Sequence, residues 1–202
     1  MKRLIYLIIG LAVYSQDSAQ AALVYSGLLN IVIPTTFEGT YINLDNGAVS
    51  GSAFTGWDIN PFFGGGGVAN NTNFQPVRIG TGNSDPALRL YTGELVSSAQ
   101  TFSSGFGGFG DPVSHLGSGL NQFTVGSEGY LGFRFTTDTS AGPYYGWVRA
   151  TFTNNTSGGV IHDWAYDDSG SSITVGSVPE PSRAMLLFVG FVTLISCRRR
   201  RK

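Results

Sequence analysis

Alternation of apolar and polar side chains at every second residue is the feature that most narrows what this chain can become. Leu131, Phe133 and Phe135 interleave with Tyr130, Gly132 and Arg134, and Val148, Ala150 and Phe152 interleave with Trp147, Arg149 and Thr151. A strand sends successive side chains to opposite faces, so this period of two describes half-buried β-strands. Shorter segments of the same character lie at residues 24–33, 41–44, 55–59, 88–95, 122–125, 160–166 and 172–175. Turn-forming runs separate them, among them Asp45-Asn46-Gly47, residues 139–143 ending in Gly142-Pro143, and residues 154–159. No stretch between residues 22 and 178 keeps a helical period over three turns. The 29 glycines among 202 residues and the 13% of aromatic residues fit strands joined by tight turns. The expected fold is therefore all-β, an antiparallel β-sandwich or jelly roll. Residues 62–85 and 97–119, rich in Gly, Asn and Ser, break the rhythm and read as long surface loops. Their rings, Phe62, Phe63, Phe74, Phe102, Phe106 and Phe109, either pack those loops over one end of the sandwich or form an exposed contact surface.

The two ends follow different rules. Lys2 and Arg3 precede an apolar run over residues 4–14, after which Ala19 and Ala21 place small residues where a signal peptidase inspects the chain. This order marks residues 1–21 as a secretory signal peptide. At the other end, Pro179, Glu180 and Pro181 lead into an apolar stretch bounded by Ala184 and Cys197, closed by Arg198, Arg199, Arg200, Arg201 and Lys202. Fourteen helical residues reach roughly 21 Å at about 1.5 Å per residue, short of a hydrocarbon core of roughly 30 Å. The expected transmembrane helix is thus a poor permanent span, extended by snorkelling of Arg183. The basic cluster would stay on the cytoplasmic side and leave the body of the protein outside the inner membrane.

This tripartite ending resembles the PEP-CTERM sorting signal of Gram-negative bacteria: the Pro-Glu-Pro motif, a short membrane segment and an arginine cluster, here residues 179–202. The resemblance implies that an exosortase, an integral-membrane cysteine protease, recognises the tail and removes it near the motif. The protein would then be released or re-anchored at the cell surface or in the extracellular polysaccharide matrix. Two prolines before the membrane segment agree with this, because they bar helix and leave an extended, accessible stretch. A weaker likeness covers roughly residues 130–176, where Tyr144 to Arg149, Asp163 to Tyr166 and Ile173 to Gly176 look like the closing strands of many PEP-CTERM surface proteins. It implies a β-sandwich surface protein and supplies no catalytic residue.

Between the addresses lies a body, residues 22–178, with four arginines, no lysine and no cysteine against eleven carboxylates, a net charge of −7. The near-neutral total of −1 conceals this segregation. An acidic body without lysine is a poor nucleic-acid ligand, since phosphate contacts need clustered cations. Cys197 lies in the tail, so no disulfide can brace the mature form.

The sequence carries little catalytic chemistry. His162 beside Asp163 suggests a Ser-His-Asp arrangement, but strand neighbours point to opposite faces and no Gly-x-Ser-x-Gly elbow occurs. His115 lies in a Gly- and Ser-rich loop and reads as a solvated side chain. The Gly-x-Gly-x-x-Gly match at residues 105–110 is followed by Asp111-Pro112, where a phosphate-cradling helix would have to begin. The protein is not expected to be an enzyme, and no cofactor is required, with calcium as the inorganic possibility. Asp58 with Asn60, and the Asp167-Asp168 pair, offer the hard oxygens calcium prefers, on a spacing that fits no EF-hand. Trp57, Trp147 and Trp164 are candidate platforms for sugar rings. The expected function is structural or adhesive at the cell surface or in the matrix, with a lectin-like carbohydrate-binding module as the alternative. The expected partners are signal peptidase, exosortase, the inner membrane transiently and extracellular polysaccharide.

Overall fold

The computed structural model describes residues 23–81, 85–103, 122–154 and 156–179. Ala19, Ala21, Glu180, Pro181, the stretch from Ala184 to Cys197, Arg198 to Arg201, His115, Phe106 and Phe109 lie outside the described residues. No helix among the described residues is long and apolar enough to cross a membrane.

Among the described residues thirteen strands form three sheets, and every pairing is antiparallel. Three long strands make the centre: β10 (Glu128–Phe135), β11 (Tyr144–Thr151) and β12 (Gly159–Asp167). On one side β12 pairs with β1 (Leu23–Tyr25) and β2 (Ile31–Ile33); on the other β10 pairs with β7 (Phe74–Pro76) and β8 (Arg89–Leu90). A four-stranded sheet runs β4 (Val49–Ser50), β3 (Tyr41–Ile42), β5 (Ile59–Phe62), β6 (Gly67–Asn70). A third pair joins β9 (Leu95–Val96) to β13 (Ile173–Thr174). The result is all-β, consistent with a β-sandwich.

The alternation expected along β10 and β11 is present, but these strands are not half-buried. Leu131, Phe133, Phe135, Val148 and Ala150 face one core with Ile42, Ile59 and Val68 of the four-stranded sheet. Tyr145 and Trp147 project the other way into a second core, with Val96, Ile173, Val175 and Phe102. Covering both faces buries side chains that period-two reasoning assigns to solvent. The close layers also explain two glycines. A Cβ on Gly146 would overlap the Phe133 ring and the Ala165 carbonyl, and a Cβ on Gly132 would overlap Leu90 and Val77; only a residue without a side chain fits there.

A β-bulge interrupts the β11–β12 ladder. Arg149 pairs with Asp163 and Ala150 with Ile161, leaving His162 as the extra residue. The insertion resets the alternation, so Ile161 and Trp164, three residues apart, both enter the first core.

The segment read as one loop over residues 62–85 instead contributes the end of β5, all of β6 and all of β7. Gly64 and Gly65, both at positive φ, turn the chain between β5 and β6, and Phe62 and Phe74 are core residues. Phe102, in the second Gly-rich segment, is also buried. In contrast, the continuous strand expected over residues 24–33 is split into β1 and β2, and residues 88–95 into β8 and the start of β9. After β13 the chain passes Val175, whose N–H donates to the Glu94 carbonyl, and Gly176, beside Thr92 and the Tyr130 hydroxyl. It then emerges at Val178 and Pro179, both exposed.

Candidate functional site

Three turns meet at the end of the central sheet where β10 stops, β11 starts and β12 stops. The organiser is Asn43, which is buried. Its Oδ1 accepts the backbone N–H groups of Asp45 and Asn46 at 2.9 and 3.0 Å, the local bonding that makes asparagine a turn residue. Its Nδ2 donates to the Gly56 carbonyl at 2.6 Å and to Asp138 Oδ2 at 2.9 Å. Asp138 returns the contact, its N–H donating to Asp45 Oδ2 at 2.6 Å. Below them Asp58, only 5% exposed, accepts the Leu44 N–H on Oδ2 at 2.7 Å.

Aromatic residues form the adjoining wall. Phe135 meets Tyr166 edge-on at 5.0 Å between centroids, and Tyr144 lies 6.4 Å from Tyr166. The Tyr144 hydroxyl hydrogen-bonds Ser140 Oγ at 2.6 Å. Between these elements opens a cleft of about 510 Å³, bounded by Asp45, Asn46, Asp138, Tyr144, Tyr166 and Asp168, with the hydroxyls of Thr137, Thr139 and Ser140 along one side. That volume lies in the range of small-molecule sites.

The electrostatics follow from the geometry. Burial raises the Asp58 carboxyl to about 7, with the Asp45 and Asp138 charges adding to the effect and the Leu44 N–H opposing it. Burial also raises Asp45, again reinforced by Asp138 and opposed by the N–H of that residue. Tyr166 is raised, first by burial and then by Asp45 and Asp168. None of the described residues that line the cleft is a lysine, an arginine or a histidine.

The tryptophans proposed as sugar platforms lie elsewhere. Trp147 and Trp164 are 1% and 2% exposed, so neither can present a ring face to a ligand. Trp147 packs edge-on against Tyr130 at 5.4 Å in the second core. Trp164 Nε1 donates to the Leu44 carbonyl at 3.0 Å beneath the turn that carries Asp45. Both are structural, because the additional layers cover faces that would be open in a single sheet. Trp57 is half-buried and meets Tyr41 edge-on at 5.1 Å.

The oxygen ligands considered for calcium are dispersed. Asn60 is 2% exposed and its Nδ2 donates to the Glu38 carbonyl at 3.1 Å. Asp167 Oδ1 is occupied by the turn after β12, accepting the N–H groups of Ser169 and Ser171 at 2.9 and 3.2 Å. Asp58 lies under the cleft and Asp168 at its rim. Among the described residues no group of three or more His, Cys, Asp and Glu is disposed to hold a metal ion.

His162 and Asp163 make different direct contacts, although Glu128 Oε2 stands 3.7 Å from both Arg149 Nη1 and His162 Nε2. Asp163 is gripped by Arg149 through Nε and Nη2 at 2.9 and 2.6 Å, and accepts the Tyr25 hydroxyl at 3.0 Å. These bonds hold the guanidinium still more firmly protonated than usual. His162 Nε2 lies 2.9 Å from Thr151 Oγ1 and its Nδ1 3.0 Å from Asn30 Oδ1. The His162 carbonyl also accepts the N–H groups of Leu29 and Asn30. This cluster stitches the connection between β1 and β2 to the bulge, and Asp163 makes no direct hydrogen bond to His162.

Asp138, Tyr144 and Tyr166 were not among the candidates drawn from the sequence. Their only sequence signal is position: each stands at the turn end of a long strand, and antiparallel neighbours joined by a short turn must bring such ends together. Comparison with protein-family models, with curated proteins and with solved structures finds no match.

Proposed function

We propose that this chain is exported through residues 1–21, sorted and processed through residues 179–202, and retained as a structural or adhesive protein of the cell surface or extracellular matrix. The observation that carries this reading is the ordered ending of Pro-Glu-Pro, apolar stretch and arginine cluster in a chain that opens with a signal-type leader. The path of the chain supports it, since among the described residues Val175 is the last buried one and Pro179, where the motif starts, is exposed. A protease could reach the motif without unfolding the body. Among the described residues, His162 and Asp163, the pair weighed for catalysis, are committed to holding strands together. Intact mass measurement on protein from the native host's surface fraction should find residues 182–202 absent; their retention would sink the sorting reading.

The cleft favours a second, compatible reading, a lectin-like module for matrix polysaccharide. Half-buried Tyr144, the amide of Asn46 and several carboxylates and hydroxyls share one concavity, the combination of ring face and hydrogen-bonding groups that sugar recognition uses. The discriminating measurement is glycan-array binding: loss of a signal on Tyr144→Leu, with Trp57→Ala unchanged, would assign recognition to the cleft rather than to the tryptophan.

A further inference from the structure

We propose that the end of the body from which the chain leaves toward residues 179–202 docks on a lipid bilayer, its apolar rim seated among the headgroups while the tail is still attached. This rests on the sorting reading and adds a second membrane contact, made by the folded body itself.

Three observations converge on it. The first is the grouping of exposed apolar side chains. Leu29, Val32, Tyr91, Leu95, Val125 and Val178 are each between 45% and 66% exposed. Scattered singly they would need no explanation, but the fold gathers them from four segments onto one end. Val32 pairs with Val160, which pairs with Thr151, opposite Glu128 at the start of β10. Leu29 is tied to the same stretch of β12, its N–H donating to the His162 carbonyl at 2.8 Å. Val125 stands in the turn that leads into β10, where the Gly126 N–H donates to the Phe152 carbonyl just past β11. Tyr91 follows Leu90, the partner of Tyr130. Leu95 and Val178 flank the exit, where the Val175 N–H donates to the Glu94 carbonyl and Gly176 lies beside Thr92.

The second is the way this rim satisfies its polar groups, since unpaired N–H and C=O groups are costly to take out of water. The turns carrying Val125 and Tyr91 close on themselves, Ser127 N–H to the Thr124 carbonyl at 3.0 Å and Glu94 N–H to the Tyr91 carbonyl at 3.1 Å. The exit turn does the same, Ser177 N–H to the Thr174 carbonyl at 3.0 Å. Two carboxylates at this end are answered as well. Glu94 Oε2 accepts the Tyr91 N–H at 2.8 Å, and Glu128 Oε2 stands 3.7 Å from Arg149 Nη1. The Arg89 guanidinium lies 5.1 Å from the centre of the Tyr91 ring, a cation beside an amphipathic ring of the kind that membrane interfaces favour.

The third is reach and charge. Five residue steps separate Pro179 from Ala184, where the apolar stretch begins. At no more than about 3.6 Å per residue the two lie within roughly 18 Å of each other, so an inserted tail keeps this end beside the bilayer. Asp45, Asp138, Asp167 and Asp168 stand beyond the opposite ends of β10 and β12. An anionic leaflet therefore repels the far end and leaves the apolar rim facing it.

The test is fluorescence quenching of the full chain reconstituted into vesicles of phosphatidylethanolamine and phosphatidylglycerol, doped with a lipid whose nitroxide lies just below the headgroups. A dye is attached at Val125→Cys, or at Thr139→Cys beyond the other end of β10, each in a Cys197→Ser chain, and at Cys197 of the unaltered chain to report insertion of the tail. The label at position 125 is expected to be quenched about threefold more strongly than the label at position 139, as seating by roughly 5–10 Å into the interface requires. That excess should vanish when Val32→Ser and Tyr91→Ser are added. Circular dichroism verifies the fold of each variant, and the comparison of positions 125 and 139 decides the matter without the double substitution should that variant not fold. Quenching at Cys197 with none at position 125 would overturn the docking and leave the sorting reading intact. No quenching at Cys197 would overturn the sorting reading and the docking that rests on it. Quenching at position 125 that ignores the Val32 and Tyr91 substitutions would mean that the short connection alone holds the body close, and would overturn the docking. Protection of that label from aqueous iodide without quenching by the lipid would do so too, by assigning the face to a second copy of the chain.

Discussion

Asp58 places a titratable carboxyl where the fold can least accommodate its charge. It is 5% exposed, its carboxyl is raised to about 7, and Asp45 and Asp138 lie close enough to repel it. An acid with a folded pKa above its unfolded value favours the native state while protonated, so stability should be greatest near pH 4 and fall as pH rises through 7. The loss is about 4 kcal/mol if the whole displacement is realised. Urea denaturation between pH 4 and 8 should show this decline, and Asp58→Asn, which preserves an acceptor for the Leu44 N–H, should flatten it. A wild-type profile that is flat or rising would mean the carboxyl is not displaced. Asp163 presents the opposite case, an ionised carboxylate inside a network. Removing its charge in Asp163→Asn leaves Arg149 without its bidentate partner and should cost about 2 to 4 kcal/mol, measurable as a lower urea midpoint at pH 7. At this scale the sequence was legible only in part. Residues 45, 138, 144, 166 and 168 form one surface, yet the hydrogen bond from Asp138 to Asp45 spans 93 residues, and no local pattern announces a contact at that separation. Trp147 and Trp164 misled for a related reason: a strand's period tells which side chains share a face, but not whether another layer will cover it.

At the scale of elements, legibility followed length. β10, β11 and β12 were foreseen because eight or nine residues carry several turns of the two-residue period. β5 and β6 were not, since they are four residues long, buried throughout, and joined by glycines that look like loop composition. The bulge at His162 was equally hidden, because its effect is to place Ile161 and Trp164 on one face against the alternation. The close approach of layers makes a sharp expectation for Gly146. Adding a methyl group in Gly146→Ala forces the Phe133 ring and the Ala165 strand apart, an overpacking that should cost about 1 to 3 kcal/mol, with thermal melting as the readout. Gly47→Ala, at a position with nothing near its Cβ direction, tests positive φ without crowding and should cost less. Equal losses would mean that the layers around Gly146, whose φ is not positive, yield to an added methyl group for no more than the backbone strain at Gly47 costs.

For the whole molecule, the distribution of basic residues sets how proteases see it. The body has only four arginines and no lysine. Arg89, Arg134 and Arg149 lie in β8, β10 and β11, while Arg78 is 1% exposed with Nε and Nη1 bonded to the carbonyls of Ser103 and Asp85. Cleavage inside a paired strand requires local opening of the sheet. Brief trypsin digestion of the native protein should therefore cut only at Lys2, Arg3, Arg183 and the terminal basic cluster, and leave the body in one piece by mass. Early cleavage after Arg134 or Arg149 would show that the central sheet opens far more readily than its packing implies. The charge of −7 on the body was fully readable from the sequence, since counting needs no coordinates; its concentration around Asp45, Asp138 and Asp168 was not.

The position of Gly176 against Tyr130 gives the molecule a direction. Tyr130 stands near the start of β10, and the cleft opens beyond the other end of that strand, where Asp138 and Tyr144 sit. Six residues from Tyr130 to Phe135 separate the two places by roughly 17 Å at about 3.3 Å per residue. The point where the described chain leaves the body and the cleft thus lie at opposite ends of the central strand. In the sorting reading proposed above, a body tethered through residues beyond Pro179 would hold the cleft at the end of the strand farther from its leash, where capture of a polymer would precede release.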